Sequence, residues 1–161
     1  MPAVGLKLLQ NGAVGLYFRR QVLAEDIEWL KEHDYRVDTF ECSVWLSESE
    51  MHEALSCGLQ FPDYYGRNLA ALNDGISDIE VPEEGGRVLV FNRYDSFAAR
   101  VPHVAWSVLD LMEFRSRQFL LFGRRSMILV QSDDPEISLE LGGGCSVMWD
   151  PREWLRSSRG L

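Results

Sequence analysis

The residues with the clearest potential for chemistry lie in the segment 62–74, which reads PDYYGRNLAALND. On a helix from Arg67 onward, at about 100° per residue, the apolar side chains share one face: Leu69, Leu72 and Ile76. The opposite face carries Arg67, Ala70, Ala71 and Asp74. Two alanines beside an acid leave the backbone and the carboxylate open to close approach. Taken alone, the pattern is explained more simply by an amphipathic helix with an ordinary solvated aspartate.

No other group of residues predicts catalysis. The three histidines lie in separate elements without paired ligand spacing, which favours surface or helix-end positions: His33, His52 and His103. The triglycine at 142–144 lacks the Lys-Ser/Thr of a phosphate loop and is typical of a flexible turn. We therefore predict no catalytic residue, no metal and no cofactor. An enzyme that uses the Asp133–Asp134 region or His103 is a less favoured alternative.

The cysteines and the N-terminal residues allow a prediction of the cellular compartment. There are three cysteines, an odd number, and none of them forms a CxxC pair: Cys42, Cys57 and Cys145. They are predicted to be small buried hydrophobes in a reducing compartment. The N-terminus does not read as a signal peptide, and no window approaches the length that spans a bilayer. We expect a cytoplasmic protein that does not bind membranes.

The charge is strongly acidic and unevenly distributed. The formal net charge is −9, and the stretch from Glu41 to Asp95 holds eleven acidic against three basic residues. Such a chain is not expected to bind nucleic acid directly, because that binding depends on basic groups that displace counterions from phosphates. An acidic surface favours basic partners, although solubility alone also explains it.

The elements that position these residues follow from apolar periodicity. Apolar and β-prone runs predict strands at 15–19, 35–40, 87–91 and 126–131, and a last short strand near Val147. Helices are predicted at 24–33, after a capping box at Ser47–Glu50, from Arg67, and from Pro102 to about Gln118. Strands that alternate with helices indicate an α/β layered fold, with a small, mainly parallel sheet packed with helices.

The segment at 62–74 resembles the signature of the barstar family, the intracellular inhibitors of barnase-type ribonucleases. The matching residues stand in register without gaps: Pro62, Tyr64, Tyr65, Gly66, Asn68, Ala71, Leu72 and Asp74. The likeness extends more loosely over 35–131. It implies one barstar-like domain over 1–161, with a β-α extension at 1–34, a barstar-like core at 35–131, and a C-terminal strand and tail at 132–161.

The resemblance also implies roles for single residues at a partner-binding surface. Asp74 aligns with the family's principal acid, which enters the cationic phosphate site of the nuclease and accepts charge-assisted hydrogen bonds there. Tyr64 aligns with an aromatic that packs against the nuclease, and Tyr65 follows it in the same loop. Gly66 is expected to let the loop backbone approach the partner. Asn68 is expected either to bind the partner or to hold the loop through backbone hydrogen bonds.

Two positions depart from the family pattern within the predicted partner-binding surface. Ala70 stands where the family usually has a second binding aspartate, and Asn73 replaces a position that is often tryptophan. A further acid from the later helix has only Glu113 as a weak candidate.

The resemblance implies an inhibitor, not an enzyme, that blocks the active site of a basic ribonuclease or related toxin with an acidic helix and loop. The alternative is a barstar-fold interaction or regulatory module whose partner is not a nuclease.

Overall fold

The computed structural model describes residues 12–141 and 145–161. Within these ranges there are seven strands: β1 (Val14–Tyr17), β2 (Tyr35–Glu41), β3 (Gly86–Asn92), β4 (Ser126–Gln131), β5 (Glu140–Leu141), β6 (Cys145–Ser146) and β7 (Met148–Trp149). The α-helices are α1 (Arg20–Glu32), α2 (Glu48–Leu59), α3 (Leu69–Ser77), α4 (Tyr94–Arg100) and α5 (Pro102–Leu121). Short 3-10 turns cover Cys42–Val44, Pro151–Glu153 and Arg156–Arg159.

Five strands form one parallel sheet in the order β2-β3-β4-β1-β7. In register, Tyr35 lies opposite Gly86 and Arg87 opposite Ser126. Strands β5 and β6 form a separate antiparallel pair. The predicted α/β fold with a small parallel sheet is confirmed, and the helices supply the other layers.

Strand β3 is buried on both faces, as its continuous apolar run predicts. Val88 and Val90 pack in one cluster, with residues of α1. Leu89 and Phe91 face a second and larger cluster, which includes side chains from α2, α3, α4 and α5. The alternation follows from the period of two along a strand, so the sheet separates two apolar layers.

Helix α2 begins as predicted, with Ser47 as N-cap accepting from the Glu50 amide at 3.4 Å. The reciprocal half of the capping box differs, because the Glu50 carboxylate accepts from the Leu46 amide at 2.5 Å. Further along, Gly58 lies against the Phe40 ring, and a β-carbon at Gly58 would come within 2.5 Å of it. The close packing of α2 on β2 therefore requires a residue without a side chain.

The other boundaries differ from the sequence prediction in modest ways. Helix α1 begins at Arg20 instead of Ala24, and α5 continues to Leu121. Helix α4 was not predicted; its seven residues follow β3 directly and bury Tyr94 and Phe97. A helix this short has little intrinsic stability, and tertiary burial of its aromatics forms it.

The N-terminal β-α unit extends the sheet beyond β4. Strand β1 pairs with β4 on one side and β7 on the other, so it covers the β4 edge that would otherwise be exposed. The C-terminal segment then holds the unit in place. The buried Glu153 carboxylate accepts from the Phe18 and Arg19 amides at 2.9 and 2.8 Å, and Arg152 pairs with buried Asp26 at 2.6 Å.

Two expectations about single residues are wrong. Cys42 is buried as predicted, but Cys57 is exposed, because it lies on the side of α2 opposite Met51 and Leu55. His52 is fully buried instead of lying at the surface, since it shares the inner side of α2 with those two residues. The side chain of Cys145 and the triglycine at 142–144 lie outside the described residues.

Candidate functional site

The signature segment forms a loop followed by α3, and Asn68 joins the two. Its side-chain oxygen accepts from the Ala71 amide at 2.7 Å, and its amide nitrogen donates to the Gly66 carbonyl at 3.2 Å. The helix therefore begins at Leu69, two residues later than predicted. Arg67 instead takes a left-handed backbone conformation with φ of 51°, and its guanidinium pairs with Glu53 on α2 at 2.6 Å.

Helix α3 has the two faces that its sequence predicts. Leu72 and Ile76 are buried, and Leu69 packs against the same cluster. Ala70 and Asp74 are exposed on the outer side. The Asp74 carboxylate forms no hydrogen bond or ion pair with the residues that the structure describes, so its acceptors are open to a partner.

Tyr65 turns into the protein and connects the loop to α2. Its ring lies 4.8 Å from that of Phe61, centroid to centroid, and its hydroxyl oxygen is 2.6 Å from Nδ1 of His52. Nε2 of His52 lies 3.2 Å from the Glu48 carboxylate. A carboxylate only accepts, so in the neutral imidazole the proton lies on Nε2 and Nδ1 accepts from the tyrosine hydroxyl. Burial, with a smaller contribution from the Glu48 charge, raises the pKa of Tyr65 to about 12.

Tyr64 points the opposite way and is 88% exposed. It borders a groove of about 270 Å³ between the loop and α3. The groove is lined by residues of both: Leu59, Gln60, Phe61, Pro62, Tyr64, Tyr65, Gly66, Ala71, Asp74, Gly75, Asp78 and Ile79. Its volume suits one or two protein side chains, being below the usual range for small-molecule pockets.

Two glycines allow the loop to lie this close to α3. A β-carbon at Gly66 would come within 3.3 Å of the Ala71 β-carbon and of the Asn68 amide nitrogen. One at Gly75 would come within 3.0 Å of the Phe61 ring. Gly66 thus has a packing role in the chain itself, beside the contact with a partner that the resemblance implies.

On its other side α3 lies against α5. The Arg115 Nε donates to the Asn73 side-chain oxygen at 2.8 Å. Glu113, the weak candidate for a further acid, instead lies beside Gly12, where a glycine β-carbon would be 3.3 Å from its carboxylate. It is two positions from Arg115, about 200° around the helix, and so faces away from α3. The later helix contributes a cation here in place of an acid.

The structure brings some of the predicted residues together and separates others. Tyr64, Tyr65, Gly66 and Asp74 line one groove. Asn68 caps the helix, Ala70 lies on the exposed face of α3, and Asn73 faces α5. Sequence reasoning missed His52 and Arg115. His52 stands three and seven residues before the buried Leu55 and Leu59, and this helical spacing indicates a buried position. No local pattern indicates that Arg115 reaches Asn73.

The enzyme hypothesis depends on the Asp133–Asp134 region or on His103. Asp133 accepts from Gln131 at 2.9 Å and lies 3.4 and 3.7 Å from Arg20 and Arg93. His103 is exposed in the first turn of α5. Within the described ranges, no three His, Cys, Asp or Glu side chains come together as metal ligands. The helices in those ranges also include none that is long and apolar enough to cross a membrane.

The family model described as Barstar (barnase inhibitor) matches residues 35–131. The chain belongs to the barstar family. This match runs from β2 to β4 and includes α2, α3 and the signature loop, so the whole groove lies within the barstar domain. Strand β1, helix α1 and the C-terminal segment that holds them lie outside it. Comparison with curated protein sequences finds no match.

Proposed function

We propose that this protein is a cytoplasmic inhibitor of a basic ribonuclease or related toxin, acting as its immunity protein or antitoxin. In this proposal α3 and the signature loop dock over the cationic substrate cleft of the enzyme. The Asp74 carboxylate takes the place of a substrate phosphate, and Tyr64 supplies rigid apolar contact beside it. The protein performs no chemistry of its own, and it needs neither metal nor cofactor.

The observation that carries the proposal is the unpartnered Asp74 carboxylate beside an aromatic groove. Asp74 is exposed at the centre of the outer side of α3, with Ala70 one turn before it. An alanine there lets a partner approach the helix backbone closely. Because Tyr64 and Asp74 already line the same groove, little ordering is needed on binding.

The negative charge around the groove also supports docking through α3 and the signature loop. Most of the formal excess of −9 lies between Glu41 and Asp95, which includes α2, the signature loop and α3. A field of one sign over a docking surface raises the association rate with an oppositely charged partner and weakens with salt. Exposed acids near the groove, Asp63 and Asp78 among them, contribute to that field.

The test is inhibition of RNA cleavage by a panel of purified basic bacterial ribonucleases, including barnase, with a fluorogenic RNA substrate. We expect stoichiometric inhibition of at least one enzyme. Asp74→Ala is expected to weaken it by about 30-fold or more, since truncating one partner of a desolvated charge pair costs about 2–5 kcal/mol. The barnase–barstar complex is the standard example of such charge coupling, and we carry the general range over to Asp74 through the family relationship.

The matched control is Glu84→Ala, which removes an exposed carboxylate from the same acidic stretch but outside the groove. It is expected to change the inhibition constant by less than about twofold at physiological salt. Failure to inhibit any enzyme of the panel contradicts the proposal. So does an Asp74→Ala variant that inhibits as tightly as the unmodified protein, with the same salt dependence.

A second candidate function is a barstar-fold interaction module with a partner that is not a nuclease. Two observations favour it: Ala70 lacks the acid that the family usually has, and Asn73 bonds to Arg115 instead of presenting an aromatic ring. Capture with the immobilised protein from the source cells distinguishes the two candidates. A stoichiometric partner without RNA-cleaving activity, lost with Asp74→Ala, favours the module.

A further inference from the structure

Arg115 places a positive charge at the edge of the face on which the partner is proposed to bind. It projects from α5, and its Nε donates to the Asn73 side-chain oxygen at 2.8 Å. Its guanidinium carbon also lies 5.5 Å from the centre of the Phe114 ring. These contacts fix the planar group. A guanidinium has five N–H donors, and the four on its terminal nitrogens form no hydrogen bond with the described residues.

The charge of Arg115 is not compensated locally, unlike that of the other arginine beside α3. Arg67 lies 2.6 Å from Glu53, so it adds little net charge to the surface. Arg115 forms no ion pair within the ranges that the structure describes. One turn further along α5 lies Gln118, and the residue that follows the helix end two turns along is the 81% exposed Phe122. Neither is acidic.

The geometry of α3 places Arg115 across from the groove. Successive helix positions differ by about 100°. With Leu72 and Ile76 directed at the core, Asp74 lies at the centre of the outer side. The groove residues Ala71 and Gly75 lie to one side of it, and Asn73 with its bound Arg115 lies to the other. A partner that covers Asp74 therefore meets the aromatic groove on one flank and a cation on the other.

We propose that Arg115 is a specificity-determining residue, which selects a partner carrying an acidic side chain next to the cation that Asp74 binds. The inference rests on the proposed function and names the charge pattern of its partner. A uniformly cationic cleft would bring like charges together at Arg115, which is unfavourable at an interface. A cleft with an acid at that position would gain a bidentate contact with the guanidinium. The charge at Arg115 therefore disfavours some basic ribonucleases and favours others.

The test measures how tightly each variant binds barnase, by calorimetry at two salt concentrations. Barnase is the nuclease that the family description names, and the resemblance implies a cationic phosphate site in it. The variants are Arg115→Glu, Arg115→Ala and, as control, Arg117→Glu. Arg117 is exposed and lies about 200° from Arg115 around α5. The control makes the same change in net charge on the opposite side of the helix, so it reports general electrostatic attraction alone. Thermal unfolding checks that each variant is folded.

We expect Arg115→Glu to bind barnase at least about tenfold more tightly than the unmodified protein, with Arg115→Ala between them. Arg117→Glu is expected to change the affinity by less than about twofold. Equal gains from Arg115→Glu and Arg117→Glu overturn the inference, as does a loss of affinity with Arg115→Glu.

If the unmodified protein binds barnase through Asp74 but Arg115→Glu binds no better, the inference fails while the proposed function stands. If only Arg115→Glu binds barnase, the inference is supported and barnase is excluded as a natural target. If neither binds, the inference fails, and the rest of the ribonuclease panel decides the proposed function.

Discussion

The Tyr65 hydroxyl oxygen lies 2.6 Å from Nδ1 of the fully buried His52. This hydrogen bond joins the signature loop to α2, and the Glu48 carboxylate continues it on the other side of the imidazole. Two adjacent tyrosines therefore have different tasks. Tyr65 holds the loop on the protein, whereas the Tyr64 side chain is exposed. The shape of the groove therefore depends on the hydrogen bond between Tyr65 and His52, a residue that does not line the groove.

Removal of the Tyr65 hydroxyl is expected to destabilise the fold. In Tyr65→Phe the buried Nδ1 of His52 loses its partner, which costs about 1–3 kcal/mol. Chemical denaturation measures this as a lower midpoint with an unchanged slope. Tyr64→Phe is the control, because the Tyr64 hydroxyl has no hydrogen-bond partner in the described part of the chain, and its effect is expected to stay within about 0.5 kcal/mol. Equal effects of the two substitutions contradict the assignment.

Asn68 is expected to act mainly as the N-cap of α3. Asn68→Ala removes the acceptor for the Ala71 amide and is expected to cost about 1 kcal/mol. Asn68→Ser keeps a capping oxygen and is expected to stay close to the unmodified stability. Inhibition assays with the same pair separate the two roles expected from the sequence. If Asn68→Ser keeps its stability but loses affinity, the amide contacts the partner directly.

Stability is expected to depend on the ionisation of Asp26. Burial raises the pKa of Asp26 above its usual value near 3.8, and the bonds from Tyr17 and Arg152 offset this only in part. The folded state therefore binds more protons than the unfolded state between the two pKa values, so the free energy of unfolding falls as the pH rises through that window. The loss approaches about 1.4 kcal/mol for each unit by which the pKa is raised.

The variant Asp26→Asn cannot titrate and serves as the reference for this effect. The stability of the unmodified protein minus that of the variant is expected to decrease from below pH 3.8 upward, and to level off above the raised pKa of Asp26. Urea unfolding at a series of pH values measures the difference. A difference that is constant or increases with pH contradicts a raised pKa.

Most of the sheet was predictable from the sequence, because its signals are local. The run at 126–131 matches β4 at both ends, and a buried parallel strand is continuously apolar. Ser47 and Pro102 marked helix starts through caps that act within one turn. Helix α4 was missed because burial of Tyr94 and Phe97 against distant residues forms it. The start of α3 was two residues off because Arg67 adopts a left-handed conformation and pairs with Glu53 on another helix.

The sequence by itself determined the family and the exposed side of α3, because the signature is contiguous and helical spacing assigns faces within a single element. It thereby singled out Asp74 as the acid that we propose contacts the partner. Only the tertiary structure decided what surrounds that acid. It decided that Tyr64 points outward and Tyr65 inward, that Tyr65 bonds to His52, and that Arg115 reaches Asn73. The residues of each contact are adjacent in space, but no pattern along the chain indicates that they pair. Contacts between elements depend on how the helices pack on the sheet, and that packing sets the charge pattern which the partner meets.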